Sequence, residues 1–113
     1  VANEFISADI VARIRRSIGM TMNSKAKGSR NERRTIALLE AAGYVCTKAG
    51  GSLGVWDVIG LGTTDLVVVQ VKTNRPASPV EMETMKNFRV PINCKKLLHV
   101  WHDHKRMPII KEL

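Results

Sequence analysis

Two polar residues interrupt the most apolar run of this chain. Leu66-Val67-Val68-Val69-Gln70-Val71-Lys72-Thr73 predicts a strand buried on both faces, since apolar residues fill consecutive rather than alternate positions. Gln70 and Lys72 are two apart, so their side chains leave the same face of that strand. An amide and an ammonium there are costly unless partnered or set at an open end of the sheet. Such a local violation is where a functional site is expected. Asp57 lies on the partner strand of the same predicted hairpin. A turn at residues 62–64 sets it opposite the region of Gln70, so carboxylate, amide and ammonium can converge. A hard cation such as Mg²⁺ takes oxygen ligands. Asp57 offers a carboxylate, Gln70 an amide carbonyl and Val71 a backbone carbonyl. A cation held there polarises a phosphodiester and generates hydroxide from bound water. Lys72 is then placed to orient that water or to stabilise the charge that grows in the transition state.

The elements that position these residues can be read in coarse form. Phe5, Ile6, Ile10, Val11, Ile14 and Ile18 recur at helical spacing, with Gly19 as a stop. This amphipathic helix is expected to pack on the domain or on a second subunit rather than on a membrane. Residues 19–28 have no period and read as a connector. A second helix is expected from about Arg30 to Ala42, with Ser29 and Glu32 in capping-box spacing and Gly43 at its end. Tyr44 to Thr47 reads as a strand, followed by a loop containing Gly50, Gly51, Ser52 and Gly54. Trp56–Leu61 and Asp65–Thr73 form the hairpin. Ser78 and Pro79 open a third helix, to about Phe88. Lys96–Trp101 and Pro108–Leu113 are two closing strands. The predicted class is α/β or α+β, one domain around a mixed five-stranded sheet flanked by helices.

Charge narrows the partner. The chain has 113 residues with 18 Lys and Arg against 10 Asp and Glu, a formal net charge of +8. A small basic domain attracts polyanions, and nucleic acid is the common intracellular one. No apolar stretch approaches the ~20 residues that span a bilayer. Charged residues interrupt the apolar positions at the start, unlike a secretory signal. Cys46 and Cys94 lack metal-type spacing and fit free thiols in a reducing compartment, so a cytoplasmic location is expected. Few aromatics leave little capacity for base stacking, so recognition should lean on backbone and shape.

At this point the residues resemble a known family. Asp57 followed by Gln70-Val71-Lys72 resembles the signature of PD-(D/E)XK nucleases. The wider set, from Lys27-Gly28-Ser29-Arg30-Asn31-Glu32-Arg33-Arg34 through Gly51-Ser52 and Asp57 to Lys72, looks like archaeal-type Holliday-junction resolvases. The resemblance covers about 45 residues and implies a restriction-endonuclease-like fold for residues 27–113. Residues 1–26, the N-terminal helix and connector, lie outside it. It also implies a metal-dependent endodeoxyribonuclease that acts as a homodimer on four-way DNA junctions with Mg²⁺ or Mn²⁺. Glu32 matches a helix glutamate that helps bind metal or its waters. Ser52 matches a loop serine near the scissile phosphate, Asp57 the metal-binding aspartate and Lys72 the catalytic lysine. The basic residues Lys27, Arg30, Arg33, Arg34 and Lys48 are expected to contact phosphates. Two positions depart from the pattern. Trp56 stands where proline is frequent, and Gln70 replaces an acidic ligand, leaving the site one negative charge short.

Plainer readings stand beside these. Glu32 can be only the N3 residue of its capping box, Asp57 a strand-end aspartate, and Ser52 a loop residue. Gln70 can hydrogen-bond across the sheet, and Lys72 can carry its ammonium out to water. His99, His102 and His104 do not share one face of a strand and lack a cysteine pair, so a zinc site is not expected. A polar strand end is the reading for them. The alternatives to a junction resolvase are a restriction-like or repair nuclease with another DNA or RNA substrate, or a catalytically silent nucleic-acid-binding module in which Gln70 marks loss of the metal.

Overall fold

The computed structural model describes residues 24–51 and 53–113. The helix expected over residues 5–18, and Ser52, lie outside the described residues. The element order is helix α1 (Ser24–Ala41), strands β1 (Val45–Lys48), β2 (Val58–Leu61) and β3 (Leu66–Thr73), helix α2 (Pro79–Asn87), and strands β4 (Cys94–Trp101) and β5 (Ile109–Glu112). The strands build one sheet in the order β1-β2-β3-β4-β5. β3 and β4 are parallel, and the other three pairs are antiparallel. Parallel neighbours need a crossover, and α2 supplies it, which places α2 on one face of the sheet and α1 on the other. The mixed five-stranded α+β sandwich is therefore as the sequence predicts. Among the described residues no helix is long and apolar enough to cross a membrane.

Helix α1 departs from its expected start. It begins at Ser24, so residues 24–28 are helical and not connector. Lys25, Ala26 and Lys27 are strong helix formers, and they carry the helix through Gly28 at a cost of about 1 kcal/mol. Ser29 is consequently inside the helix and the expected Ser29–Glu32 capping box does not exist. Glu32 stands about two turns in, free of any capping duty. The division between residues 26 and 27 likewise falls inside α1. The C-terminal stop is as predicted. Gly43 takes φ +98°, and Gly43 N–H and Tyr44 N–H donate to the carbonyls of Glu40 and Leu39, each at 3.0 Å. These are the paired bonds of a left-handed helix cap, which glycine adopts at low cost.

Strand β3 divides its side chains between two cores. Val67 and Val69 pack with Leu39 and Val58, joined by Ile36, Tyr44, Cys46, Val71 and Leu97, under α1. Val68 faces the other way, against Trp56 and Met85, with Met82 and Phe88 of the α2 region around them. Trp56, set at the position where the resemblance often has proline, is 1% exposed and meets Phe88 edge-on at 5.8 Å between centroids. Its role is to anchor the second core. On the first face β2 must pass close to its neighbours at Gly60. A Cβ there would meet Val67 Cγ1 at 2.8 Å, Cys46 Sγ at 3.1 Å and Tyr44 Cβ at 3.2 Å. Gly60→Ala is therefore expected to destabilise the fold by about 1–3 kcal/mol, as overpacking does, read as a lower urea midpoint at unchanged slope.

Helix α1 is fixed to the sheet by a buried polar chain. Trp101 Nε1 donates to Thr35 Oγ1 at 2.9 Å, and the same hydroxyl lies 3.0 Å from His99 Nδ1. Asn31 Nδ2 donates to Thr73 Oγ1 at 2.8 Å. His99 is 1% exposed, so it is core and not the polar strand end that the sequence reading expects. Indole nitrogen can only donate, which makes the Thr35 hydroxyl an acceptor there and leaves its proton and second lone pair for His99 Nδ1. Burial holds the His99 pKa down, from 6.5 to about 4. The unfolded chain thus binds a proton near pH 6.5 that the folded chain refuses until near pH 4. Stability is highest above pH 6.5 and falls as pH drops through this window, by about 3 kcal/mol in all at 1.36 kcal/mol per unit. Urea unfolding between pH 7 and pH 4.5 should show this loss in the parent, and His99→Leu should remove most of the slope.

Candidate active site

The site forms where β3 outruns β2. The β2–β3 ladder ends at Val58 opposite Val69. Asp57 extends it by one bond, its N–H donating to the Val69 carbonyl at 2.9 Å, while its own carbonyl accepts from Ala49 N–H at 2.8 Å. The chain before it turns away, with Trp56 N–H bonded to the Leu53 carbonyl at 3.3 Å. β3 continues through Gln70, Val71, Lys72 and Thr73, paired on its other side with Leu98, His99, Val100 and Trp101 of β4. Val71 N–H therefore faces the side that β2 has left, where no ladder acceptor stands. Asp57 Oδ2 accepts that N–H at 2.8 Å. The carbonyl of a strand residue points to the same side as its N–H, so the Val71 carbonyl is turned to this opening too.

Gln70 and Lys72 share the face of Val68, towards α2, as their spacing predicts. Gln70 is 6% exposed. Its Nε2 lies a long 3.5 Å from Glu81 Oε2. Its Oε1 is buried without a hydrogen-bond partner among the described residues. Lys72 Nζ donates to the same Glu81 Oε2 and forms an ion pair with it. Glu81 is in turn fixed by the cap of α2. Ser78 Oγ accepts from Glu81 N–H at 3.1 Å, and Glu81 Oε1 accepts from Ser78 N–H at 3.0 Å. The Lys72 hydrogen bond, then the Ser78 N–H, hold the Glu81 carboxyl down to about 2. Sequence reasoning did not single out Glu81. Ser78-Pro79-Val80-Glu81 spells a capping box, but spacing does not say that α2 lies over Gln70 and Lys72.

The opposite helix brings a further carboxylate. Glu32 on α1 pairs with Lys48 Nζ at 3.3 Å, and its charge is felt at Asp57. Burial is the main force that raises the Asp57 carboxyl above its usual range. The Val71 N–H opposes it, Glu32 adds to the rise, Lys72 works against it and Glu81 adds a little more. Asp57 is thus a partly desolvated carboxylate between two others, a condition that a bound cation relieves.

The basic residues expected at phosphates are placed unevenly. Lys27 pairs with Asp103 at 3.0 Å. Arg34 stacks over the Trp101 ring at 4.0 Å and donates to Asn31 Oδ1 and to the Lys105 carbonyl. Arg33 has its Nε and Nη1 buried without partners among the described residues. Lys48 is engaged by Glu32. Arg30 is exposed.

The donor set bears on a cation. Among the described residues no three His, Cys, Asp or Glu side chains group so as to hold a metal. The candidate oxygens are instead the Asp57 carboxylate, with Oδ2 engaged by Val71 N–H, the unpartnered Gln70 Oε1, the Val71 carbonyl and the Glu32 carboxylate. A buried carbonyl oxygen without a donor is costly and is a hard-cation ligand. These donor types are the ones a hard cation such as Mg²⁺ or Mn²⁺ takes.

No family model matches the chain, and no curated protein matches it. Among solved structures it is similar to Hjc of Archaeoglobus fulgidus, a Holliday junction resolvase from an archaeal hyperthermophile. The TM-score is 0.58 at 18% identity, over 77% of this chain and 71% of that one. At that identity the likeness is one of fold. The sheet flanked by two helices is the restriction-endonuclease-like arrangement that the resolvase has.

The electrostatics of Asp57 yield a stability test. Asp57→Asn keeps an acceptor for Val71 N–H and removes a carboxylate that burial, Glu32 and Glu81 disfavour. In EDTA at pH 7.5 the variant should melt a few degrees higher, a gain of about 1 kcal/mol typical of relieved active-site strain. Millimolar Mn²⁺ should raise the melting temperature of the parent and leave that of the variant unchanged.

Proposed function

We propose that this chain is a metal-dependent endodeoxyribonuclease that cuts branched DNA, four-way junctions above all. It acts as a homodimer with Mg²⁺ or Mn²⁺, in the cytoplasm. The observation that supports the reading is the polar end of β3 where β2 stops. There Asp57 Oδ2 is held by Val71 N–H, Gln70 Oε1 is buried without a partner among the described residues, and Lys72 shares the Gln70 face. The fold shared with a junction resolvase supports the class of substrate.

Asp57, Gln70 Oε1, the Val71 carbonyl and Glu32 are the residues that would hold the cation. When bound, it lowers the pKa of a water and polarises the scissile phosphate. Lys72 has three N–H donors, of which Glu81 engages one. The others remain to orient the attacking water and to meet the charge that grows on the phosphoryl oxygens. Ser52, in the glycine loop before Asp57, is assigned to the phosphate next to the cut. Arg30, together with Lys27, Arg33, Arg34 and Lys48, contributes the field that draws the duplex arms. Binding should weaken steeply with salt.

The direct test offers labelled four-way junction, linear duplex and single-stranded DNA, each with Mg²⁺, Mn²⁺ or EDTA, to the parent and to Asp57→Asn. Paired symmetric nicks in the junction, absent with EDTA and in the variant, are the expected result. Equal cutting of linear duplex would transfer the assignment to a restriction-like or repair nuclease. Salt-sensitive binding of DNA with no cutting in either metal would favour a silent binding module, the reading that the neutral Gln70 supports.

A further inference from the structure

The neutral residue at position 70 leaves the strand without the second carboxylate that a hard cation favours. The structure brings a carboxylate to the same place from another element. Glu81 reaches down from the first turn of α2, and its Oε2 accepts from Lys72 Nζ while facing Gln70 Nε2. Its other oxygen is taken by Ser78 N–H, so both ends of the carboxylate are fixed. The rotamer is therefore held by the cap and by the ion pair together.

That fixed carboxylate decides which way the Gln70 amide points. A carboxylate can only accept, so the amide must offer it Nε2 and turn Oε1 away. The reverse orientation would set two acceptors against each other in a half-buried site. Gln70 Oε1, with no partner among the described residues, is the oxygen so turned. We propose that Glu81 is a positioning residue of the active site: it orients the Gln70 carbonyl oxygen for a divalent cation, steadies the Lys72 ammonium, and restores from α2 the negative charge that the strand lacks at position 70. The role rests on the metal-site reading given under Proposed function. Glu81 needs no contact with the cation, since both its oxygens are already engaged. Groups that fix the orientation of a metal ligand commonly change metal affinity 10–100-fold when removed.

Four proteins test the assignment by isothermal titration with Mn²⁺ alone: the parent, Glu81→Gln, Gln70→Glu/Glu81→Gln, and Asp57→Asn. Glutamine is accepted at the third position of a capping box, so Glu81→Gln keeps the cap and removes the charge. A purely structural role for Glu81 would leave Mn²⁺ affinity unmoved. The expected result is a loss of about tenfold or more in Glu81→Gln, with recovery close to the parent when a carboxylate is returned at position 70 in the double variant. Affinity in Glu81→Gln within twofold of the parent, alongside loss in Asp57→Asn, would overturn the role of Glu81 and leave the metal site standing. Parental affinity in Asp57→Asn as well would overturn the metal site itself. Should Glu81→Gln not fold, Gln70→Leu decides. A comparable loss supports an oriented carbonyl, and an unchanged affinity refutes it.

Discussion

Strand β3 has eight residues and its neighbour β2 has four, and the mismatch in length organises the candidate site. A central strand cannot leave a backbone N–H unpaired without cost. Where β2 stops, the Val71 N–H requires another acceptor, and the Asp57 carboxylate supplies it. The carboxylate is thereby drawn to the edge of the sheet, against the last polar residues of β3. The same opening exposes the Val71 carbonyl. A backbone requirement of the fold thus sets where the Asp57 carboxylate lies.

The two helices act on that opening from opposite faces of the sheet. α1 is held to β3 and β4 by Asn31–Thr73 and by the Thr35 hydroxyl between Trp101 and His99. With buried partners on the same helix, Glu32 is carried to the Asp57 side at a fixed height. α2 is fixed by its cap, and the cap residue itself, Glu81, carries the charge that meets Lys72. Each helix therefore contributes one carboxylate, and on α2 that carboxylate belongs to the cap that fixes the helix. Substitutions at these positions affect packing and site together, which is why Glu81→Gln, preserving the cap, separates the two effects.

Much of this was legible in the chain itself. Period-two logic placed Gln70 and Lys72 on one face, and the apolar run of β3 announced a strand covered on both sides. Ser78-Pro79 and Gly43 marked helix ends that the structure confirms. What failed did so for identifiable reasons. The start of α1 was set at Ser29 because a capping-box spacing outweighed the helix propensity of Lys25, Ala26 and Lys27. His99 reads as polar from sequence because its partner, Thr35, lies 64 residues away on α1. The Trp101 ring beneath Arg34 is invisible to spacing. Glu81 went unnoticed because its importance depends on the crossover geometry of α2, which follows from the parallel pairing of β3 with β4.

The charges at the site define a consistent electrostatic state. Glu81 stays ionised throughout the neutral and mildly acidic range because Lys72 and the Ser78 N–H hold its carboxyl down to about 2. Asp57 is pushed the opposite way by burial and by the two glutamates on either side. A folded carboxylate with a raised pKa binds protons more readily than the unfolded chain, so at neutral pH its charge opposes folding. Added positive charge beside Asp57 would relieve this as protonation does, without neutralising the carboxylate. The arrangement thus separates the roles of three carboxylates: Asp57 is left short of positive charge, Glu32 is shared with Lys48, and Glu81 is spent on orientation. The neutral amide at position 70 follows from that division: Glu81 faces its Nε2, and its Oε1 is left without a partner among the described residues.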